Sequence, residues 1–560
     1  MAINIPKRKE KDVLAMVNSA YKNSLMFQRP NFIKFNEWYS IYRAVRDDSH
    51  QNYDGRADLF IPYVFSVIET IIPRLVGNKV KLEAIPREPN DIENAKSNTA
   101  LMDYQWDKMN MRSLLKGWLR QAMSYGYGMV KLTWQFNDKG MDSPNAELID
   151  LFDVFYDPDG TTIENCRFII HRSERSLTEL KTNSNYKIPK NLDTTVQQDE
   201  YKVQRDAILG LVKPRSKDVK KIEVLEYWGL YEIDGEEKEC LIVVANKDTL
   251  IRAEVNPYIH QRKPFIKLMD IEDIASFPGI GEIEQLASLQ YELNDVRNQR
   301  MDNVTLILNR MWKVNKNAGV DEEDLESRAG NVIHTDNMAG IEALETPDVT
   351  ASAYNEEVVI KDDMETVSGI NDYAKGSGSE AKNETATGIM LLQEASSSRL
   401  KYKLDNLEDS LKEFGEQLLA LNQQYIDKPT KIRIVGEGMA KWISQEPDNL
   451  IGDFDLAVDA ASDQPMNKSI RRAEARELLN TVAPLAELIG PEPLQVVLKN
   501  LYETYEIKDA ETLFKQQGGI PAPQGSGQAP GPQDTGQVRG LASGSGVNPG
   551  SQTPAGIGIG

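Results

Sequence analysis

Cysteine is almost missing from this sequence. Only Cys166 and Cys240 occur in 560 residues, far apart and in no Cys-x-x-Cys pair. That argues against a disulfide framework or a zinc knuckle and fits a reducing compartment. Histidine is nearly as scarce. His50, His171, His260 and His334 are isolated in sequence, so they read as ordinary surface or core residues and no metal is expected. Long apolar runs are lacking too. The most apolar early stretch, Leu59 to Val76, carries Glu69, Pro73 and Arg74 and falls short of a membrane span, so it reads as a buried helix. The opening MAINIPKRKEKD has no apolar core of a secretory signal. The expectation is a soluble chain, cytosolic or destined for a particle assembled there, with no membrane partner.

Catalytic signatures are equally hard to find. No Gly-x-x-x-x-Gly-Lys-Ser/Thr loop occurs, and the nearest candidate, Gly376 to Lys382, lacks the second glycine. Phe277-Pro278-Gly279-Ile280-Gly281 is not a full dinucleotide fingerprint. Asp157-x-Asp159-Gly160 puts its glycine too early for a calcium loop and reads as a turn. There is no Gly-x-Ser-x-Gly elbow and no His-Glu-x-x-His. These absences point to a non-enzymatic chain without a cofactor.

What is present is length and acidity. The chain is long enough for several packed layers, with 40% hydrophobic and 27% charged residues, so most of it should fold. Its net charge of −21 argues, at face value, against a protein that grips phosphates. The excess is concentrated. Asp321 to Glu365 holds fourteen acids against Arg328 and Lys361, a net of −12 and more than half of the total. The acids Glu356, Glu357, Asp362, Asp363 and Glu365 form a possible magnesium site for a nuclease, set against the plainer reading of a solvated helix face.

Periodicity predicts an α+β fold, predominantly helical. Residues 10–46 read as two helices, behind the basic cluster Lys7, Arg8, Lys9 and Lys11, and Ile92 to Tyr125 reads as another. A strand follows Gly126 and Gly128, with Val130, Leu132, Trp134 and Phe136 on one face. Leu148 to Tyr156 and Arg167 to His171 are further strands, and Asp234-Gly235 between apolar runs predicts a hairpin. After Pro278 comes an amphipathic helix with Ile283, Leu286, Leu289, Leu293 and Val296 on one stripe. Met311 to Val314 and Asn331 to His334 look strand-like, and Ala351 to Val367 is helical. A Gly/Ser-rich loop, Asn371 to Thr387, precedes Leu400, Leu404, Leu407, Leu411, Phe414, Leu418 and Leu421, spaced 4-3-4-3-4-3. This is a long helix buried along one face or a free coiled coil, locally weakened or bent at Gly415. Lys431 to Gly436 and Asp453 to Val458 are short strands, and Asn467 to Gln516 reads as helices. The last 45 residues hold thirteen glycines and only Asp534 and Arg539 as charges, a composition that predicts disorder.

Four segments carry a family resemblance: Asp58-LFIPYVFSVIETIIPRLVG-Asn78, Asp150-LFDVFYDPDGTTIENCRFIIH-Arg172, Phe277-PGIGEIEQLASLQYELNDVRNQRMD-Asn303 and Gly376-SGSEAKNETATGIMLLQEASSSR-Leu400. In sequence and in order they resemble the portal proteins of tailed bacteriophages, the head-to-tail connectors. The likeness covers roughly residues 30–515.

By position, the resemblance implies a portal fold. An N-terminal arm and wing would occupy 1–278, a stem helix 279–309, a clip 310–350 and a second stem helix 351–370. A tunnel loop would follow at 371–387, a long wing helix at 388–427, wing strands at 428–466, crown helices at 467–516 and a disordered tail at 517–560. It implies a dodecameric ring at the capsid vertex through which double-stranded DNA is packaged and ejected. The implied partners are the terminase large subunit, then tail adaptors, with the major capsid and scaffolding proteins around them. Asp321, Glu322, Glu323, Asp324 and Glu326 would serve docking at the clip. Lys375, Gly376, Ser377, Gly378, Ser379, Glu380, Lys382, Asn383 and Glu384 would form the channel loop. Glu356, Glu357, Asp362, Asp363 and Glu365 are candidates for an acidic channel lining. The rival readings are another head–tail adaptor or capsid-associated structural protein, and the metal-dependent nuclease.

Overall fold

The structure is a computed structural model. It describes residues 7–45, 56–76, 80–136, 142–190, 192, 199–211, 221–326, 332–370, 386–427, 430–436, 439–445, 447–459, 468–482, 497–498 and 501–502. Contacts divide the chain into Met1–Glu474 and Ala475–Gly560. The first unit is α+β and predominantly helical, its strands gathered into small antiparallel sheets. Of the second unit only short helical pieces fall within the described residues, so most of 467–516 and all of the 517–560 tail lie outside them.

The N-terminal region forms one helix, α1 (Lys7–Tyr42), where two were expected. Pro30 sits inside it and is exposed. An interior proline costs a helix about 3 kcal/mol. The stripe Val13, Val17, Tyr21, Ser24, Gln28, Phe32 and Phe35 stays buried on both sides of it. Burying each large apolar side chain contributes about 1.5–3 kcal/mol, so the continuous stripe outweighs the proline. The opposite correction applies to Ile92–Tyr125. After α2 (Tyr63–Leu75) and β1 (Lys81–Pro86), this stretch is two helices, α3 (Ile92–Lys108) and α4 (Met111–Tyr125). They are separated at Asn110, whose φ of 53° is left-handed. Asparagine tolerates that conformation and there ends the helix.

β2 (Tyr127–Gln135) is flanked by β3 (Ser143–Leu148) and β9 (Phe265–Met269). A five-stranded sheet runs β4 (Val154–Tyr156), β5 (Phe168–Ser176), β6 (Lys221–Ile233), β7 (Glu236–Ala245), β8 (Thr249–Val255). Its central hairpin turns at Asp234 (φ 54°) and Gly235 (φ 87°), both positive as a two-residue turn matching strand twist requires. Two short helices, α5 (Leu177–Thr182) and α6 (Glu200–Ile208), lie between β5 and β6.

Next in the chain come α7 (Glu282–Leu308), β10 (Met311–Val314), β11 (Ile341–Leu344) and α8 (Thr350–Ser368). β10 pairs with β11 from Met311↔Leu344 to Val314↔Ile341. The strand expected at Asn331 to His334 is not there: Val332 to His334 are irregular, and the His334 amide and ring both meet Asp324.

The long helix α9 (Ala386–Tyr425) resolves the choice left by its leucine spacing. All seven apolar positions from Leu400 to Leu421 are buried. The helix lies on β9, β2 and β14 (Phe454–Asp459) and is a core element of the chain, not a free coiled coil. β14 pairs with β1, and β12 (Thr430–Gly436) with β13 (Met439–Gln445). A final helix, α10, spans Lys468–Val482.

Candidate functional site

The acidic stretch singled out in the sequence folds mainly as the α7–α8 pair and the segment between them. α8 packs along α7, burying Glu357, Ile360, Met364 and Ser368. At the end near β10, the Asn303 side chain donates to Pro347 O (3.0 Å) and accepts from Val349 N (3.3 Å), which fixes where α8 begins. Asp348 then accepts from the Thr350 amide at 2.9 Å and the Thr350 hydroxyl at 2.6 Å. Those bonds hold its carboxyl below the usual range.

The charges of this pair are sorted by sign. Its only basic residues are Arg297, Arg300 and Lys361. All three meet one carboxylate, Glu357, which is 3% exposed. Lys361 Nζ lies 2.9 Å from Oε1, Arg300 Nη2 lies 3.1 Å from Oε2, and Arg297 also donates to Oε1. Burial opposes ionisation of Glu357, but the bonds from Lys361 and Arg297 outweigh it and hold the carboxyl below its usual value. Arg300 also stacks its guanidinium 5.5 Å from the Tyr354 ring.

Five other acids of the pair face solvent. Glu356, Asp362 and Asp363 are exposed on α8, as are Glu292 and Asp295 on α7. Glu365 is partly buried and accepts from Tyr63 Oη at 3.3 Å. The five acids grouped in the sequence are therefore not one cluster. Glu357 is turned between the helices, a correction to its place among free surface carboxylates, because its side chain falls on the α7-facing stripe with Ile360 and Met364. Among the described residues, no group of three or more His, Cys, Asp or Glu could hold a metal ion.

Between the helices, Glu322–Leu325 forms a single 3-10 turn. Asp321, Glu323 and Glu326 are exposed there, and Asp324 is partly buried against His334 (3.4 Å). Nothing is described of the Glu322 side chain. The loop residues Lys375, Gly376, Ser377, Gly378, Ser379, Glu380, Lys382, Asn383 and Glu384 lie outside the described residues.

Sequence reasoning missed what anchors the pair at its other end. Gly126, at the end of α4, has φ 85°, and a Cβ there would lie 2.0 Å from Gly279 O. A Cβ on Gly281 would lie 2.7 Å from Gly126 N. The Phe277-Pro278-Gly279-Ile280-Gly281 motif is thus a backbone crossing where side chains do not fit. Ile271 and Ile280 pair across it. Beside it Lys403 of α9, 7% exposed, sits between two buried carboxylates. It pairs with Asp270 and, at 2.8 Å, with Glu282 at the start of α7. Burial and the Glu282 charge raise the Asp270 carboxyl to about 6, against the pull of Lys403. Lys403 falls on the apolar stripe, three residues after Leu400 and four before Leu407, and that was the available signal.

Among the described residues, no helix is long and apolar enough to cross a membrane. A family model described as the phage SU10 portal protein matches residues 137–540. The matched span takes in the five-stranded sheet, both helices of the acidic pair, the segment between them and α9. The chain belongs to this tailed-phage portal family, a structural and non-enzymatic one.

Proposed function

We propose that this chain is the subunit of a portal ring at the capsid vertex, through which double-stranded DNA is packaged and later ejected. In this reading residues 1–278 and 428–466 form the wing, α7 and α8 the stem, 310–350 the clip and 467–516 the crown. Terminase docks first on the clip, where Asp321, Glu323 and Glu326 are exposed, and tail adaptors dock there later. The loop at 371–387 meets the duplex.

One observation carries the reading beyond family membership. The two helices draw all three of their cations inward onto Glu357 and leave Glu356, Asp362 and Asp363 outside. Duplex DNA carries a charge about every 1.7 Å of its axis, and a basic wall holds it as a nonspecific site. A wall whose cations are all paired to one buried carboxylate holds it less. It lets the duplex slide, which a conduit needs and a DNA-binding protein avoids.

Electron microscopy and native mass spectrometry of the purified chain test this. The expected result is a closed ring of about twelve subunits with a bore wider than a duplex and the α7–α8 pair around it, made of heterologous contacts that close. A chain that forms no ring even with scaffolding protein overturns the proposal. So does a ring whose α7–α8 pair lies on the outer rim, which would instead fit an adaptor.

A further inference from the structure

Residues 57–64 cross α7 in an arrangement that belongs to neither a helix pair nor a sheet. The Ala57 amide donates to Asp302 Oδ1 (2.5 Å), Leu59 to Asn298 Oδ1 (2.7 Å), Ile61 to Asn294 Oδ1 (3.0 Å) and Val64 to Gln290 Oε1 (3.2 Å). Two amides also donate back. Asn298 Nδ2 reaches Leu59 O at 3.0 Å, and Gln290 Nε2 reaches Ile61 O at 2.7 Å. Gln290 further donates to Asn294 Oδ1 at 3.1 Å, linking two rungs. Gln290, Asn294 and Asn298 are 0%, 5% and 5% exposed.

The spacing explains why this works. Side chains four apart on a helix repeat about every 6.0 Å along its axis. Amides on one edge of an extended chain repeat every two residues, about 6.6 Å. The two repeats agree closely enough for three successive rungs at 57, 59 and 61. The last rung skips to Val64, where Pro62 ends the alternation and the longer Gln290 makes up the reach. An amide suits the middle rungs because it accepts and donates together, as a neighbouring strand does. A carboxylate at Asn298 would lose the bond to Leu59 O.

We propose that residues 57–64 are a main-chain strap, read in register by the ladder Gln290, Asn294, Asn298 and Asp302, and that it fixes the angle of α7 against the N-terminal helices. The strap's last two residues, Tyr63 and Val64, open α2, which packs on both α4 and α7. The start of α7 is pinned separately by Lys403 through Glu282. The ladder's last rung is Asp302, so α7 is clamped from Glu282 to Asp302 and bending is left to the turn and a half before β10.

Hydrogen exchange of the full chain tests it, comparing wild type with Asn294→Leu/Asn298→Leu and with Leu59→Pro. The second variant deletes one rung from the strap's own side. The Leu59 side chain is 46% exposed, so its loss leaves the core and α7 intact. Both variants are expected to speed exchange in peptides spanning 57–64 by about tenfold or more, while β6 and β7 keep their protection. Spin labels on Ser66→Cys and Gln299→Cys, both exposed, report the angle, since the native Cys166 and Cys240 are buried. Their distance distribution is expected to be narrow in wild type and broad in each ladder variant. Unchanged strap exchange in both variants overturns the ladder. Exchange that rises equally in the β6–β7 sheet makes it general core packing, and a distribution that stays narrow removes its control of the angle.

Discussion

Arg300 on α7 and Glu357 on α8 meet at 3.1 Å, and that contact shares its carboxylate with Arg297 and Lys361. Removing the carboxylate leaves three cations facing one another. Glu357→Gln is therefore expected to lower stability by about 2–3 kcal/mol. That is somewhat less than for a fully buried pair, because Arg297 and Lys361 keep partial access to water. The pH dependence has a definite sign. A carboxyl held below its unfolded value contributes stability above that value and loses it as pH falls. Wild type should lose stability below about pH 4.5 more steeply than Glu357→Gln. Parallel denaturation curves from pH 3 to 7 would refute the assignment.

Lys403 sets up the opposite case. Asp270 is raised to about 6 by burial and by Glu282, so the folded state takes up its proton before the unfolded chain does. This group's contribution falls as pH rises from about 4 to about 6. Asp270→Asn keeps an acceptor for Lys403 and leaves it paired one-to-one with Glu282. The variant is expected to be as stable as wild type or more so at pH 7.5, with a flatter profile between pH 4 and 6. Lys403→Met leaves two buried carboxylates unpaired and should cost about 3–5 kcal/mol at pH 7.5, partly recovered at pH 5. Urea denaturation at these two pH values decides. A loss above about 2 kcal/mol in Asp270→Asn counts against the account.

The sequence made repeating features legible. The 4-3 spacing from Leu400 to Leu421 and the Asp234-Gly235 turn appear where they were read, since each is fixed by local periodicity or backbone preference. Pairings between distant segments were not legible. β1 finds β14 more than 350 residues away, and β10 finds β11 rather than the nearer stretch at 332–334. Within the candidate site, acidity was visible but orientation was not. One residue of helix rotation separates exposed Glu356 from buried Glu357. The ladder was partly visible, because Gln290, Asn294, Asn298 and Asp302 recur every four residues. The apolar stripe drew attention first, and a polar stripe at that spacing reads as solvated until its extended partner is known.

Gly415, expected to weaken the helix locally, also makes room for a neighbour on β14. A Cβ there would lie 2.9 Å from Leu456 Cδ2 on β14. Replacing glycine by alanine inside a helix gains about 1 kcal/mol of propensity. Crowding a packed contact costs about 1–3 kcal/mol, at the low end here because the atom met is the tip of a leucine. Gly415→Ala is thus expected to change stability by less than about 1 kcal/mol. Gly415→Val loses part of the propensity gain and adds two methyl groups, so it should destabilise by about 2 kcal/mol and loosen β14. Thermal melts of both variants test the ordering, and a Gly415→Val as stable as Gly415→Ala would place Leu456 elsewhere.

The exposed acids of α8 offer the sharpest test of charge sorting. Glu356, Asp362 and Asp363 face solvent, so changing all three to lysine should leave stability within about 0.5 kcal/mol per site. If α8 lines the channel as proposed, the same change turns a wall that repels phosphates into one that binds them. Wild-type rings are expected to show negligible duplex retention at 0.15 M salt. Rings of the triple variant should hold duplex with affinity that falls steeply with salt, by about 0.9 in log K per log salt for each phosphate contacted. Duplex held this way must break those contacts at every step, so packaging or ejection through the variant should slow before ring assembly is affected. If wild-type rings already retain duplex with the same salt slope, the outward acids are not what keeps DNA free, and the sorting around Glu357 serves only the packing of α7 on α8.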